Sequence, residues 1–305
     1  MAMKNVKNAN FLQIDHEVQK ISKVKGAEIL TSPEAYQKIP WTRKFFLEKP
    51  NEGYFIWVKK QVDLPLLTCF SLNTYKTQQN LENLLVIEKG LKIKSNVICN
   101  ALKENLCASH KAKGKIVLKE GARLKYSHFH WWGSKEIIES DYEFYLGPNS
   151  QLVYNYKNTH SSKNLFFRTY IEAEKKSDLN LNINLLGKNT KARFEEVLKL
   201  KGEDSRGIIR LRLVADKKSE IEGMSKIFAL NKSIGHLDCQ GLLINKDSKI
   251  SLIPNLVCEN KKAQLTHEAS IGKVSEEELT YLRTRGLTEK QAIDLIVSGF
   301  LMKWT

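Results

Sequence analysis

The sequence predicts a mainly β protein with helical segments at both ends, and three observations carry that prediction. Apolar and polar residues alternate through the middle of the chain, as in Leu179-Asn180-Leu181-Asn182-Ile183-Asn184-Leu185, the period of a strand with one buried face. Clusters rich in Gly, Asn, Asp, Ser and Lys interrupt this region at short intervals. Helix start and stop signals gather near the end of the chain.

The segment 1–54 reads as mostly helical. Phe11, Ile14 and Val18 recur at helical spacing, and Ser32-Pro33-Glu34 reads as an N-cap followed by a first-turn proline. Trp41, Phe45 and Phe46 supply apolar anchors.

The segment 55–272 reads as strands, among them Lys115 to Lys119, Ser150 to Tyr156, Asn180 to Leu186, Ile208 to Val214 and Lys249 to Ile253. Some turns echo one another. Leu146-Gly147-Pro148-Asn149-Ser150 and Leu186-Gly187-Lys188-Asn189-Thr190 lie 40 residues apart, and Ser177 and Ser219 end two similar Lys-Lys-Ser turns 42 apart. Such recurrence suits stacked coils, as in a β-helix, and a β-sandwich fits almost as well. No long helical pattern interrupts the strands, which disfavours an α/β fold.

The segment 273–305 turns helical. Ser275-Glu276-Glu277-Glu278 is a capping box, Gly286 is a stop, and Thr288-Glu289-Lys290-Gln291 is a second box. Ala292, Ile293, Leu295, Ile296 and Phe300 form an apolar stripe behind it.

The 305 residues are 42% hydrophobic, enough to bury a core. No apolar run is long enough to span a bilayer, and the Lys- and Asn-rich opening carries no signal-peptide pattern, so a cytoplasmic location is expected. The net charge of +15 is dispersed, without a basic tail, which disfavours nucleic-acid binding. Cys69, Cys99, Cys107, Cys239 and Cys258 are odd in number and show no C-x-x-C spacing, which argues against a disulfide framework and a zinc ribbon. Cys69, Cys99 and Cys107 are expected to be structural. His128 and His130 alternate on one strand face beside Trp131 and Trp132; packing or hydrogen bonding is the expected role, with metal binding the alternative.

The chemically suggestive stretch runs from Gly235-His236-Leu237-Asp238-Cys239, through Pro254-Asn255-Leu256-Val257-Cys258, to Ala263-Gln264-Leu265-Thr266-His267-Glu268-Ala269. Thiolate, imidazole and carboxylate are suitable ligands for iron, and successive strands of a coil could bring them near one another. Thr266-His267-Glu268-Ala269-Ser270-Ile271-Gly272-Lys273, then Glu278-Leu279-Thr280-Tyr281-Leu282-Arg283-Thr284-Arg285-Gly286, then Ala292-Ile293 and Gly299-Phe300, resemble the C-terminal signature of the SufB/SufD family of iron–sulfur cluster assembly scaffolds. Lys125-Tyr126-Ser127 with Trp131 resembles a weaker landmark. The resemblance is strong over 235–302, diffuse over about 85–235, and not usable before about residue 50.

The resemblance implies a right-handed parallel β-helix with flanking helices. It also implies a dimer joined near the C-terminal end of that β-helix, either a homodimer or a SufB/SufD-like heterodimer. The terminal helices would hold a SufC-like ABC ATPase, and recipient apo iron–sulfur proteins would take the product. Cys239 and Cys258 match SufB cysteines, His267 matches a histidine of both subfamilies, and Glu268 follows SufB. Tyr281-Leu282-Arg283-Thr284-Arg285-Gly286 leans toward SufD, so the chain combines features of both, as a short, archaeal-type single scaffold would. Tyr145 stands near where SufB has a sulfur-accepting cysteine, so sulfur is expected to enter differently. The implied role is a non-enzymatic scaffold that holds a transient iron–sulfur cluster at Cys239, Cys258, His267 and Glu268. The chain has no G-x-x-x-x-G-K-[ST] loop of its own, so ATP hydrolysis falls to the ATPase. The alternatives are a SufD-like subunit without a cluster and a polysaccharide-acting β-helix enzyme, for which no carboxylate cluster is evident.

Overall fold

The computed structural model describes residues 9–46 and 48–302. The opening that lacks a signal-peptide pattern falls largely on residues 1–8, outside the described residues. The elements, in order, begin with β1 (Phe11–Ile14), β2 (Glu17–Ile21), β3 (Ala27–Thr31), α1 (Ser32–Lys38), a 3-10 turn (Pro40–Phe45) and β4 (Tyr54–Val58). Next come β5 (Leu66–Leu72), β6 (Gln78–Ile87), β7 (Lys92–Ala101), β8 (Ser109–Leu118), β9 (Arg123–Trp131), β10 (Ile137–Leu146), β11 (Gln151–His160) and β12 (Asn164–Ala173). The chain continues with β13 (Asp178–Lys188), β14 (Lys191–Leu200), β15 (Ser205–Asp216), β16 (Glu220–Ala229), β17 (Ser233–Leu243), β18 (Lys249–Cys258) and β19 (Gln264–Lys273). It closes with α2 (Glu276–Thr284) and α3 (Glu289–Met302).

From β4 onward, alternate strands enter two sheets. The first runs β19-β17-β15-β13-β11-β9-β7-β5-β1-β2 and the second β18-β16-β14-β12-β10-β8-β6-β4-β3. Every strand from β5 to β19 pairs in parallel with the strand one coil away, so the chain is a parallel β-helix and not a sandwich. Burial alternates along the central strands, and the inward residues of both sheets fill one continuous core. Leu124, Leu152, Leu179, Gly207, Gly235 and Leu265 stack in one inward row, 27 to 30 residues apart.

That spacing corrects the apparent repeat of 40 and 42 residues. The echoing turns are one and a half coils apart and sit on opposite edges: 147–150 leads from the second sheet into the first, and 189–190 from the first into the second. The turns that do stack are those at Gly121, Asn149, Lys176 and Asp204, each with a positive φ between 55° and 69°. The Asn149 N–H donates to Lys175 O and the Lys176 N–H to Glu203 O, so each left-handed residue is tied to the next coil.

The N-terminal segment differs from expectation. Phe11, Ile14 and Val18 belong to a hairpin, not a helix: β1 pairs in parallel with β5 and antiparallel with β2. The period of two wins because Phe11 and Gln13 both point into the end of the β-helix, where Phe11 meets Tyr54 and Phe70. Asp15, at φ 51°, makes the reversal. The short helix α1 is capped by Thr31, one residue earlier than the sequence suggests, through a capping box with Glu34.

Both C-terminal capping boxes form. The Glu278 N–H donates to Ser275 Oγ at 3.1 Å, and the Gln291 N–H to Thr288 Oγ1 at 3.3 Å; Gly286 takes φ 89°. The buried face of α3 is Ala292, Val297 and Leu301, which covers Val214 and Leu242 on the outside of the first sheet. Leu295, expected in that stripe, is 53% exposed. Among the described residues, no helix is long and apolar enough to cross a membrane.

Candidate functional site

Stacking places chemistry-bearing residues in inward rows. In the first sheet, Val97, His128, Tyr156, Ile183, Leu211, Cys239 and Ala269 form one row. In the second sheet, Asn83, Gly114, Tyr142, Thr169, Glu196, Ser225 and Pro254 form another. Cys239 therefore faces the interior of the penultimate coil. Ser225 Oγ donates to Glu196 Oε2 at 2.6 Å and also reaches the Cys239 thiol. Burial, and then the nearby Glu196, push the thiol up to about 12, so the resting sulfur is protonated. Burial likewise lifts the Glu196 carboxyl to about 8.

His267 lies in β19 opposite Leu237, on the same inward face as Cys239 and diagonal to it. It is exposed nonetheless, because β18 and β19 form the last coil of the described residues and no further coil among them covers it. Ile250, Leu252 and Leu265 end the core at this open rung, and Ile271, at the same end, is 46% exposed. Glu268 lies opposite Asp238 and so faces outward. Behind it, Asp238 binds the buried Arg212 in bidentate fashion, Nη1–Oδ1 at 3.0 Å and Nη2–Oδ2 at 2.6 Å.

Cys258 is exposed at the end of β18, in the other sheet, opposite Ala229. It lies four residues beyond Pro254, roughly 13 Å along the strand from the level of Ser225. One chain therefore brings Cys239 and His267 together on one face, sends Glu268 to the other, and leaves Cys258 apart. A surface groove of about 1100 Å³ along the starts of β10, β12, β14, β16 and β18 includes none of the four.

The only Cys/His/Asp/Glu group of three or more with ligand atoms within 4.8 Å of one another, among the described residues, lies elsewhere: Cys99, His128 and His130, all buried. His128 Nε2 is 2.9 Å from His130 Nε2 and 3.5 Å from Cys99 Sγ. Burial pushes His128 down to about 3, so its imidazole is neutral at physiological pH. Trp131 faces outward and stacks on His160 at 3.8 Å, so the predicted His/Trp patch is split between two faces. Strand alternation signals the His pair, but pairing it with Cys99 requires the coil period, as does pairing Cys239 with Glu196.

Comparison with known proteins bears on this geometry. The family model described as "SUF system FeS cluster assembly, SufBD core domain" matches residues 70–300, nearly the whole β-helix and both C-terminal helices. The chain belongs to the SufB/SufD family. Its SufBD relatives include archaeal proteins, each described as an iron–sulfur cluster assembly SufBD family protein. The one from Archaeoglobus fulgidus is 26% identical over 98% of this chain and 85% of its own length. The one from Methanocaldococcus jannaschii is 26% identical over 91% and 90%. The one from Methanothermobacter thermautotrophicus strain Delta H is 26% identical over 82% of this chain, which spans only 62% of that relative's length. The chain is thus a SufBD protein of the short archaeal type. Tyr145, where the resemblance would put a sulfur-accepting cysteine, faces the outside of the SufBD β-helix and donates its hydroxyl to Glu143 at 2.5 Å.

Proposed function

We propose that this SufBD chain is the scaffold subunit of a SUF-type assembly complex and builds a transient iron–sulfur cluster across a dimer interface at the open end of the β-helix. The observation that carries this is the diagonal placement of Cys239 and His267 on the inward face of the last two rungs, beside an end that nothing among the described residues caps. Solenoid ends need a cap or a partner, and an exposed strand edge invites pairing. A second copy, or a SufB/SufD-like partner, would cover Ile271 and the edge strand β19. It would also bring a second Cys239, Cys258, His267 and Glu268 to one interface, supplying ligands that one chain holds apart.

A buried, protonated Cys239 cannot ligate iron until the last rungs part. That requirement suits a gated scaffold in which a SufC-like ABC ATPase, docked on α2 and α3, strains the interface through a rigid-body movement. The chain itself would carry no enzymatic step, and apo iron–sulfur proteins would receive the cluster. The same burial favours a second reading, a SufD-like subunit that shapes the complex and holds no cluster.

Anaerobic reconstitution with ferrous iron and sulfide, read by absorption and Mössbauer spectroscopy, separates the two. The scaffold reading expects a cluster that Cys239→Ala and Glu268→Ala each weaken. A chain that takes up no cluster supports the SufD-like reading, and variants that hold the parent's cluster as firmly refute the site.

A further inference from the structure

Four coils from Cys239, roughly 19 Å up the same inward row, the β-helix holds a second group of ligands that the cluster site does not use. Cys99 and His130 sit opposite each other in neighbouring strands, and His128 faces the same interior two residues from His130. All three are shut from solvent, with Cys99 and His128 at 0% and His130 at 3%.

The ring orientations are informative. Both imidazoles direct Nε2 to one point, where the Cys99 sulfur also lies. Both direct Nδ1 away, to a tyrosine hydroxyl: His128 to Tyr154 at 3.2 Å and His130 to Tyr156 at 2.9 Å. Asn158 Nδ2 in turn donates to the Tyr156 hydroxyl at 3.3 Å. Imidazoles that ligate metal through one nitrogen and are oriented by a hydrogen bond at the other have this arrangement.

The distances fit an ion. With metal–nitrogen bonds of about 2.05 Å and a metal–sulfur bond of about 2.3 Å, tetrahedral geometry sets N···S at about 3.5 Å and N···N at about 3.3 Å. The His128 Nε2···Cys99 Sγ separation is 3.5 Å, the His130 nitrogen lies within 4.8 Å of the same sulfur, and the two nitrogens need to part by about 0.4 Å from 2.9 Å. A further imidazole stands on the facing sheet, outside the group of ligand atoms within 4.8 Å of one another. The His110 ring packs 6.4 Å from His130, and its buried Nε2 has no hydrogen-bond partner.

We infer that Cys99, His128 and His130 form a buried mononuclear metal site inside the β-helix, suited to a borderline-soft divalent ion such as zinc or ferrous iron. Mixed imidazole and thiolate ligation selects that class. Binding releases the Cys99 thiol proton to solvent and transfers no electron. Because the site is enclosed, the ion enters as the coils stack, and it ties β7 to β9 at a rung whose interior would otherwise be a hydrogen-bonded polar knot.

The full chain, produced in cobalt-supplemented medium and purified without chelator, provides the test, with absorption spectroscopy and elemental analysis as readouts. The expected result is about one cobalt per chain, with the intense visible bands of a tetrahedral ion and a thiolate-to-cobalt charge-transfer band. Cys99→Ser abolishes the charge-transfer band, and His130→Gln lowers bound cobalt at least tenfold. Cys239→Ala leaves both unchanged, which separates this site from the cluster site. A parent chain that folds without bound metal overturns the inference, whatever the variants do. So does a charge-transfer band that survives Cys99→Ser or vanishes with Cys239→Ala.

Discussion

Replacing Glu196 with Gln converts a buried titrating group into a neutral one of the same shape. Glu196 is fully buried, one Oε atom accepts from Ser225, and the other has no protein partner. Its carboxyl moves from an ordinary 4.5 to about 8 on folding. An acid whose pKa is raised on folding leaves stability at its full value below the unfolded pKa and lowers it progressively as pH rises to the folded one. Below about pH 4.5 both states are protonated and the group is neutral in its effect. Between there and about pH 8 only the unfolded chain ionises, and folding stability falls by about 1.4 kcal/mol per pH unit. The loss is about 3 kcal/mol at pH 7 and levels off near 5 kcal/mol above pH 8. Glu196→Gln removes the slope. Urea unfolding of both proteins from about pH 5 to pH 9 should show the variant's relative stability climbing through that window, with little difference at the acid end. A pH-independent difference would refute the argument, because it would mean that Glu196 folds in the same charge state in which it unfolds.

Other perturbations probe neighbouring parts of the structure. Arg212→Leu leaves Asp238 buried without its cation and should cost roughly 3–5 kcal/mol in thermal unfolding, while Arg212→Leu with Asp238→Leu should recover much of it; an unchanged melting temperature in the single variant would mean that the ion pair is not buried. Gly114→Ala drives a Cβ into the Tyr142 ring and should cost about 1–3 kcal/mol by overpacking; a neutral result would show that the ring can shift. Alkylation of the native chain, mapped by mass spectrometry, should label exposed Cys107 far faster than Cys239; equal rates would contradict a closed penultimate rung. Phe11→Ala should cost about 3–5 kcal/mol, since the ring closes the N-terminal end of the core; a loss below 1 kcal/mol would mean that the hairpin is not part of the cooperative unit.

The β architecture is legible because alternation is a local signal. Leu179 to Leu185 reads as one strand without any knowledge of its neighbours, and the two capping boxes at Ser275 and Thr288 need only four residues each. The coil length is not local in this sense. Turns on opposite edges use the same Gly, Asn, Lys and Ser chemistry, so Asn149 resembles Asn189 more than it resembles its stacked partner Lys176. The N-terminal hairpin is misread for a related reason: Phe11, Ile14 and Val18 satisfy a helical spacing by sequence, and only the end of the β-helix selects the pairing of Phe11 with Gln13.

The same distinction explains which parts of the site can be read. The signature around His267 and Glu268 is a contiguous string, so it stands out. That the two residues face opposite ways follows from strand alternation alone. What Cys239 faces does not, because Glu196 and Ser225 arrive from the opposite sheet, 43 and 14 residues earlier in the chain. Their presence alters the chemistry expected of the thiol. A cysteine chosen only to bind iron would gain from a neighbouring cation that stabilises thiolate. Cys239 instead has a buried carboxyl and a hydroxyl beside it, and the nearest guanidinium, Arg212, is engaged on the outer face by Asp238. The closed rung therefore stores the sulfur in its unreactive form. Any movement that admits water at this end lowers the thiol toward its ordinary range and, in the same step, exposes it beside His267. On the proposed scaffold reading, opening of the rung and competence to ligate are one event, which is the property a scaffold needs if its cluster is to be both made and released.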